Sequence, residues 1–330
     1  MFMKKSIFVI ILSLSFLGCD SSFDFDASGT WVYTKDEDGD PVIENIDEEE
    51  YREEFHFGEG GGCCYGYEEP DAEKADILMG PPLPASYDLS EFLPPVGNQG
   101  KQGSCVGWAA GYYLKSFHEN YEDDLLGIGL SNYQMSPAYI YNQIKNGSCA
   151  GGSVIQHALD TLQTQGIVDW SVMPYDENTC SDLPDDLIKI IASPNQIDQY
   201  YYLGEEFLLE QAKAYLSQDQ PIVIALAIDA QYFGARDDDG NYIYRKFKQE
   251  TGSHAMLVVG YDDDMNAFKV VNSWGKNWGN DGFVWLDYRA FSEADDVNSD
   301  FKVLCEAWVT TDKIQPQLAS VSHRDNNSSR

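Results

Sequence analysis

The sequence is short of positive charge. Its 330 residues carry 21 Lys and Arg against 55 Asp and Glu, a formal net charge of −34. This argues against a nucleic-acid-binding chain, because such binding relies on Lys and Arg to neutralise phosphates. The acidity reads first as a device for solubility. The apolar run at the N-terminus, Ile7 to Leu17, has eleven residues and is too short to span a bilayer comfortably. A calcium loop is missing too: "DEDGD" (36–40) has alternating carboxylates, but its glycine is misplaced and no closing glutamate follows. Cysteines are few: Cys19, Cys63, Cys64, Cys105, Cys149, Cys180 and Cys305. No metal or cofactor is expected. With 43% hydrophobic and 13% aromatic residues, most of the chain should fold, as one large domain or two small ones.

Five regions follow from composition and patterning. Residues 1–19 have the form of a secretory signal, with two lysines, the apolar run and a small residue before Cys19. "FLGC" resembles a bacterial lipoprotein signal, although Phe16 stands where leucine is usual. That resemblance implies a lipid on Cys19, a membrane anchor and a protein exported from a bacterial cell; an ordinary cleaved signal is the alternative. Either way disulfides become allowed. Residues 20–83 are acidic: between 20 and 76 there are twenty Asp or Glu and three Lys or Arg. "KDEDGDP" (35–41) and "NIDEEEYREE" (45–54) read as solvated runs with weak local structure. The proline-rich "MGPPLP" (79–84) then marks a boundary near residue 83. From 84 to about 195 the pattern is helical: Cys105 to His118, "SPAYIYNQIKNG" (136–147) and "SVIQHALDTLQTQG" (153–166). From about 196 to 311 the period changes, and "PIVIALAI" (221–228), "NYIYRKF" (241–247), "AMLVVGY" (255–261), "AFKVVNSW" (267–274) and "GFVWLDY" (282–288) read as strands. Residues 312–330 read as a disordered tail. A helical lobe followed by a β-rich lobe predicts α+β with a cleft between.

One cysteine has unusual surroundings. In "GNQGKQGSCVGWAA" (97–110), Cys105 heads a helical run behind Gly103 and Ser104, six residues after Gln99. A thiol is a nucleophile as thiolate, and a helix N-terminus or a nearby imidazolium favours that form. A carbonyl attacked by sulfur develops an oxyanion, to which the Cys105 N–H and the Gln99 side chain could donate. Of five histidines, His56 lies in the acidic segment, His323 in the tail, and His118 and His157 in helical patterns. His254 instead begins an apolar strand in "TGSHAMLVVGYD". Eighteen residues on, Asn272 ends the next strand, where its amide oxygen could orient the imidazole and Trp274 could shield the bond.

"GNQGKQGSCVGWA", "GSHAMLVVGYD" and "NSWGKNWGNDGFVWL", in that order, resemble the papain-like cysteine peptidases (papain family, C1-type), over roughly residues 84–310. The resemblance implies a two-lobe fold, with a helical left lobe, a β-barrel-like right lobe and an active-site cleft between them. It implies thiol-dependent hydrolysis of a peptide or protein substrate through an acyl-enzyme. Cys105 would be nucleophile, His254 its ion-pair partner, base and then acid, Asn272 the orienter and Gln99 part of the oxyanion hole. "CAGGS" (149–153) matches a turn at which Gly151 and Gly152 would pair with substrate like an added strand, and Ala255 matches a pocket wall. No cleft-blocking insertion is visible, which favours endopeptidase action and leaves exopeptidase action open.

Departures from the family pattern are Val106 in place of the usual tryptophan, with Trp108 two places on, and Gln102 in place of a cysteine. Without that cysteine, Cys149 is expected to pair with Cys180, and Cys305 is left either free or joined to Cys63 or Cys64. The segment before 83 stands where the family carries an inhibitory prosegment, and it could equally be an acidic tether. Two rival functions stay open: a catalytically silent, lipid-anchored peptide-binding homologue, and a transpeptidase using the same acyl-enzyme.

Overall fold

A computed structural model of the chain describes residues 30–35, 41–46, 70–78, 82–125, 127, 132–204, 208–228, 232, 241–245, 252–291 and 303–313. The leader with Cys19, the Cys63–Cys64 pair, the runs 36–40 and 47–69, the turn at 237–240 and the tail from 314 lie outside the described residues.

The acidic segment is not all irregular. β1 (Thr30–Lys35) and β2 (Pro41–Ile46) pair antiparallel, with Thr30 opposite Ile46. Trp31, Val32, Tyr33 and Thr34 on one side and Val42 and Ile43 on the other favour extended backbone, which the charge count hid.

The main sheet runs β4 (Ile197–Tyr202), β10 (Leu304–Asp312), β5 (Ile222–Ile228), β7 (Gly252–Asp262), β8 (Ala267–Val271), β9 (Phe283–Asp287) and β6 (Ile243–Tyr244). Neighbours are antiparallel except β6 and β9. β3 (Ser86–Asp88) adds to the far end of β7. Among the described residues β4 and β6 do not pair, so the expected barrel-like lobe is an open mixed sheet. Only Ile243–Tyr244 of the expected 241–247 strand is extended in the ladder. β5 is buried along its whole length and β7 along nine residues. Both read as continuous apolar runs, because strands covered on both faces have no polar side to show. Each fully buried Val, Ile or Leu there contributes about 1.5–3 kcal/mol.

α1 begins at Cys105, winds as a wider π-helix through Gly107–Leu114 and continues as an α-helix over Lys115–Leu125. Its glycines admit close neighbours: a Cβ on Gly107 would stand 2.8 Å from the Pro137 carbonyl, and one on Gly111 2.8 Å from Ile140. α2 (Pro137–Ile144) is capped by Ser136, whose hydroxyl accepts from the Tyr139 N–H, with proline at the first turn as the sequence predicts. α3 (Ile155–Thr164) stops at Gly166, whose φ of +80° suits glycine. α4 (Asp186–Ala192) is capped by the Asp185 carboxylate. α5 (Leu208–Leu216) lies within the half expected to be β-rich, and α1 and α5 both pack on β5 and β7. The two lobes are therefore not cleanly segregated, and one hydrophobic core runs through both.

The last strand reaches Asp312, the first residue of the expected tail. β10 includes Asp312, whose carboxylate pairs with buried Lys115 at 2.7 Å, while Glu119 takes the same ammonium from within α1. Burial alone would lower the Lys115 pKa; the two carboxylates outweigh it and raise it. One turn on, His118 is buried against the Thr310 hydroxyl at 2.9 Å.

Residues 70–78 form a strap along the β4 edge. Ala75 N–H donates to Tyr202 O (2.8 Å), Tyr202 N–H to Glu73 O (2.9 Å) and Leu78 N–H to the Gln211 side chain (2.7 Å). The end of the edge strand, at Tyr202, is thereby paired.

Candidate active site

The hydrogen bonding of α1 begins where Trp108 N–H donates to Ser104 O, at 3.1 Å. Cys105 is thus the first helical residue, and its own N–H has no partner within the helix. Cys105 is the free cysteine of the described residues and is 6% exposed. Burial pushes its thiol pKa up, and the peptide N–H groups of Ala255, Val106 and Cys105 itself pull it back.

His254 sits on β7 opposite Leu226, and only 2% of it is exposed. Its Nε2 lies 2.7 Å from Asn272 Oδ1, and the Ser273 N–H donates to the same oxygen at 2.7 Å. A backbone N–H only donates, so that atom is the amide oxygen and Nε2 carries the proton. The lone pair then belongs to Nδ1. Trp274 stacks over the imidazole with ring centres 4.7 Å apart, and Tyr232 meets both rings edge-on. Burial pulls His254 down to about 4, and the bond to Asn272 acts in the opposite sense.

Gln99 is held at both ends of its amide. Nε2 donates to Gln102 O (2.8 Å) and Oε1 accepts from the Ser273 hydroxyl (2.6 Å), which leaves one Nε2 hydrogen uncommitted. Two loops bring it there: Gln99 N–H donates to Ser273 O (2.7 Å) and Gly275 N–H to Gly97 O (2.8 Å), with Asn98 bridged to Trp274. The Tyr175 hydroxyl adds a tie, donating to Gln99 O and bonding the Ser104 hydroxyl, both at 2.7 Å. Ser273 and Tyr175 escaped the reading of the sequence. Ser273 was visible only as a neighbour of Asn272, and the Tyr175 contacts lie more than 70 residues away along the chain.

The "CAGGS" turn abuts the Cys105 loop, with Gly103 N–H donating to Cys149 O at 2.9 Å. A Cβ on Gly103 would stand 2.5 Å from Ala150 O, and one on Gly151 1.9 Å from Asn146 O. Gly151 spends its N–H on Ser148 O and its carbonyl accepts from the Tyr141 hydroxyl; the Gly152 carbonyl accepts from Asn146 N–H. The Gly152 N–H is the group of this pair that no described partner engages. Ala255 is buried beside Ala225.

The structure therefore brings Cys105, His254, Asn272, Gln99 and Trp274 to one junction, with the Gly151–Gly152 turn alongside. His157 is exposed, as its helical pattern suggests, whereas His118 is buried in the core.

A family model described as "Papain family cysteine protease" matches residues 83–299. The chain belongs to the papain family of cysteine proteases. Ananain of Ananas comosus is 28% identical over 253 residues, 72% of this chain and 63% of ananain. Gamete and mating-type specific protein A of Dictyostelium discoideum is 26% identical over 205 residues, 60% of this chain and 41% of that protein. The papain-family chain thus spans less than two thirds of the length of these curated relatives. Xylellain, a cysteine protease from Xylella fastidiosa, has a similar fold, with a TM-score of 0.57 at 22% identity over 74% of this chain and 96% of xylellain.

Two departures from the papain-family pattern have structural answers. Trp108 fills the space under the Gln99 loop, packing on Tyr112 and Tyr175, and a Cβ on Gly97 would fall 1.9 Å from its ring. Gln102 replaces a covalent tie with two hydrogen bonds, to Asp176 O (2.7 Å) and Thr179 O (2.9 Å). Next to them Cys149 and Cys180 form the expected disulfide, with Cα atoms 5.6 Å apart. Cys305 is also disulfide-bonded, to a partner outside the described residues.

Proposed function

We propose that the chain is an endopeptidase that hydrolyses peptide bonds through Cys105, His254 and Asn272. The observation that carries this is one juxtaposition: His254 Nε2 on Asn272 Oδ1, with the next residue, Ser273, bonded to Gln99 in the loop that leads into Cys105. Burial acts on each charge separately, against thiolate and against imidazolium. Passing one proton from sulfur to Nδ1 creates both charges side by side, and their attraction, strong in a water-poor site, offsets the desolvation. The thiolate attacks the scissile carbonyl, and the oxyanion takes hydrogen bonds from the Cys105 N–H and the remaining Gln99 Nε2 hydrogen. His254 gives its proton to the leaving amine, then draws one from the water that opens the acyl-enzyme. Asn272 and Trp274 hold the ring through both steps. The extended substrate pairs with the Gly152 N–H, and the Ala255 methyl walls the pocket for the side chain two residues before the cut.

A peptide epoxide is expected to label the protein once, at Cys105, and to abolish cleavage of an internally quenched peptide blocked at both ends. A labelled residue elsewhere, or cleavage that persists after full labelling, rejects the assignment. A silent peptide-binding protein would show no cleavage at all, and a transpeptidase would yield amine-capped products when an amine is supplied.

We further propose that residues 20–83 serve as a tether. The strap at 70–78 follows β4, three strands from the His254 strand, and so supports a path away from the junction. With export and a lipid on Cys19, the tether would hold the enzyme off a membrane, and the Cys149–Cys180 disulfide suits such an oxidising location. Fatty-acid labelling in a bacterial host should be lost in Cys19→Ser; equal labelling of both proteins rejects the anchor.

A further inference from the structure

We infer that Tyr113 is a positioning residue, whose phenol oxygen sets the spacing between the Cys105 helix, the Gln99 loop and the His254–Asn272 pair. The inference rests on the peptidase reading above. Tyr113 stands eight residues after Cys105 on α1 and is 1% exposed. Its hydroxyl donates to Asn272 O at 2.9 Å and accepts from Gly97 N–H at 3.0 Å. The three elements that carry the nucleophile, the oxyanion donor and the orienter therefore meet at one atom.

The ring cannot drift. It packs against Tyr112 and Trp108 with centres 5.0 and 6.4 Å away. Burial raises the phenol's pKa, so it stays a neutral donor through any working pH. What hangs from Asn272 makes the contact chemical as well as structural. Its carbonyl is fixed by Tyr113, while its side-chain oxygen fixes His254. A displacement of that backbone moves the imidazole relative to the sulfur. The Gly97 bond does the same for the other wall, two residues before Gln99.

The test is the pH profile of Cys105 alkylation by iodoacetamide, read by mass spectrometry on the full chain. Wild type should react at pH 6 at a large fraction of its rate at pH 9.5, as a thiolate held by imidazolium does. Tyr113→Phe should lose about tenfold at pH 6, since small misplacements of reacting groups cost such factors. It should approach the wild-type rate as pH rises to 9.5, because hydroxide then takes the thiol proton without help from His254. Tyr87→Phe is the structural control. It removes another phenol bond, to Asp219 near the far end of β7, and its profile should overlay wild type. Para-aminophenylalanine at 113 restores a donor at the same reach and should recover the pH 6 rate, whereas isosteric para-methylphenylalanine should not; this pair also serves if Tyr113→Phe does not fold. Overlay of the Tyr113→Phe and wild-type profiles, with reactivity at pH 6 retained in both, overturns the role of Tyr113 alone. A wild type inert at pH 6 overturns the ion-pair reading, and this role with it.

Discussion

Cys105→Ala is expected to lower kcat/KM on a fluorogenic peptide by about 1,000-fold or more and to drop the titration of His254 to about 4. The first effect follows from losing the nucleophile. The second follows from what surrounds the imidazole. His254 is buried under Trp274 and has Asn272 as its hydrogen-bond partner, so without a sulfur anion nothing compensates its charge. In the proposed ion pair a thiolate would supply that compensation, so an imidazole beside an ionised Cys105 is expected to titrate above the value that burial alone sets. Comparing the His254 ring resonances of the two proteins across pH measures the difference. Equal titration in both would mean that no ion pair forms, and the thiol would then need a different activator. The alanine side chain is smaller than the thiol, so the fold should survive, which circular dichroism checks.

The second large effect is on stability. His118 is buried on α1 beside Thr310, and burial holds its pKa down at about 4, with Asp312 acting upward and Lys115 downward. In the unfolded chain it takes up a proton near the ordinary 6.5. Between the two values the unfolded state binds more protons, so the contribution is complete above pH 6.5 and is lost as pH falls towards 4. The full shift corresponds to at most about 3 kcal/mol. Urea unfolding at several pH values should show wild type losing that amount relative to His118→Gln, which does not titrate. The many carboxylates impose their own pH dependence on both proteins, so the difference between them isolates His118. Superimposable curves would mean that the histidine is already solvated in the folded state.

Parts of this architecture were legible because they are local. Ser136-Pro137 starts a helix through the hydroxyl cap it supplies, and Gly166 ends one because it accepts a φ of +80°. The apolar runs of β5 and β7 announced buried strands. Other parts were hidden for physical reasons. β4, "IDQYYY", has a mixed burial pattern, buried at its two ends and exposed or half-buried between, so it shows no clean apolar alternation. α5 sits among strands that its own sequence cannot announce. Asp312 resembled a polar tail until its carboxylate met Lys115 from the other half of the chain. The barrel-like lobe came from family resemblance, and the open sheet is a property of which edges meet.

Acting alone, the sequence determined the candidate groups and their order: a cysteine at a helix start, a histidine opening an apolar strand and an asparagine before Ser-Trp-Gly. These are matters of residue type and short-range geometry, and short-range geometry is written in neighbouring residues. Tertiary structure decided which distant groups hold them: Tyr113 on Asn272, Ser273 on Gln99, Tyr175 on Ser104, and Gln102 on the carbonyls of Asp176 and Thr179. The residue type offers a donor or an acceptor, and only packing chooses which partner it finds.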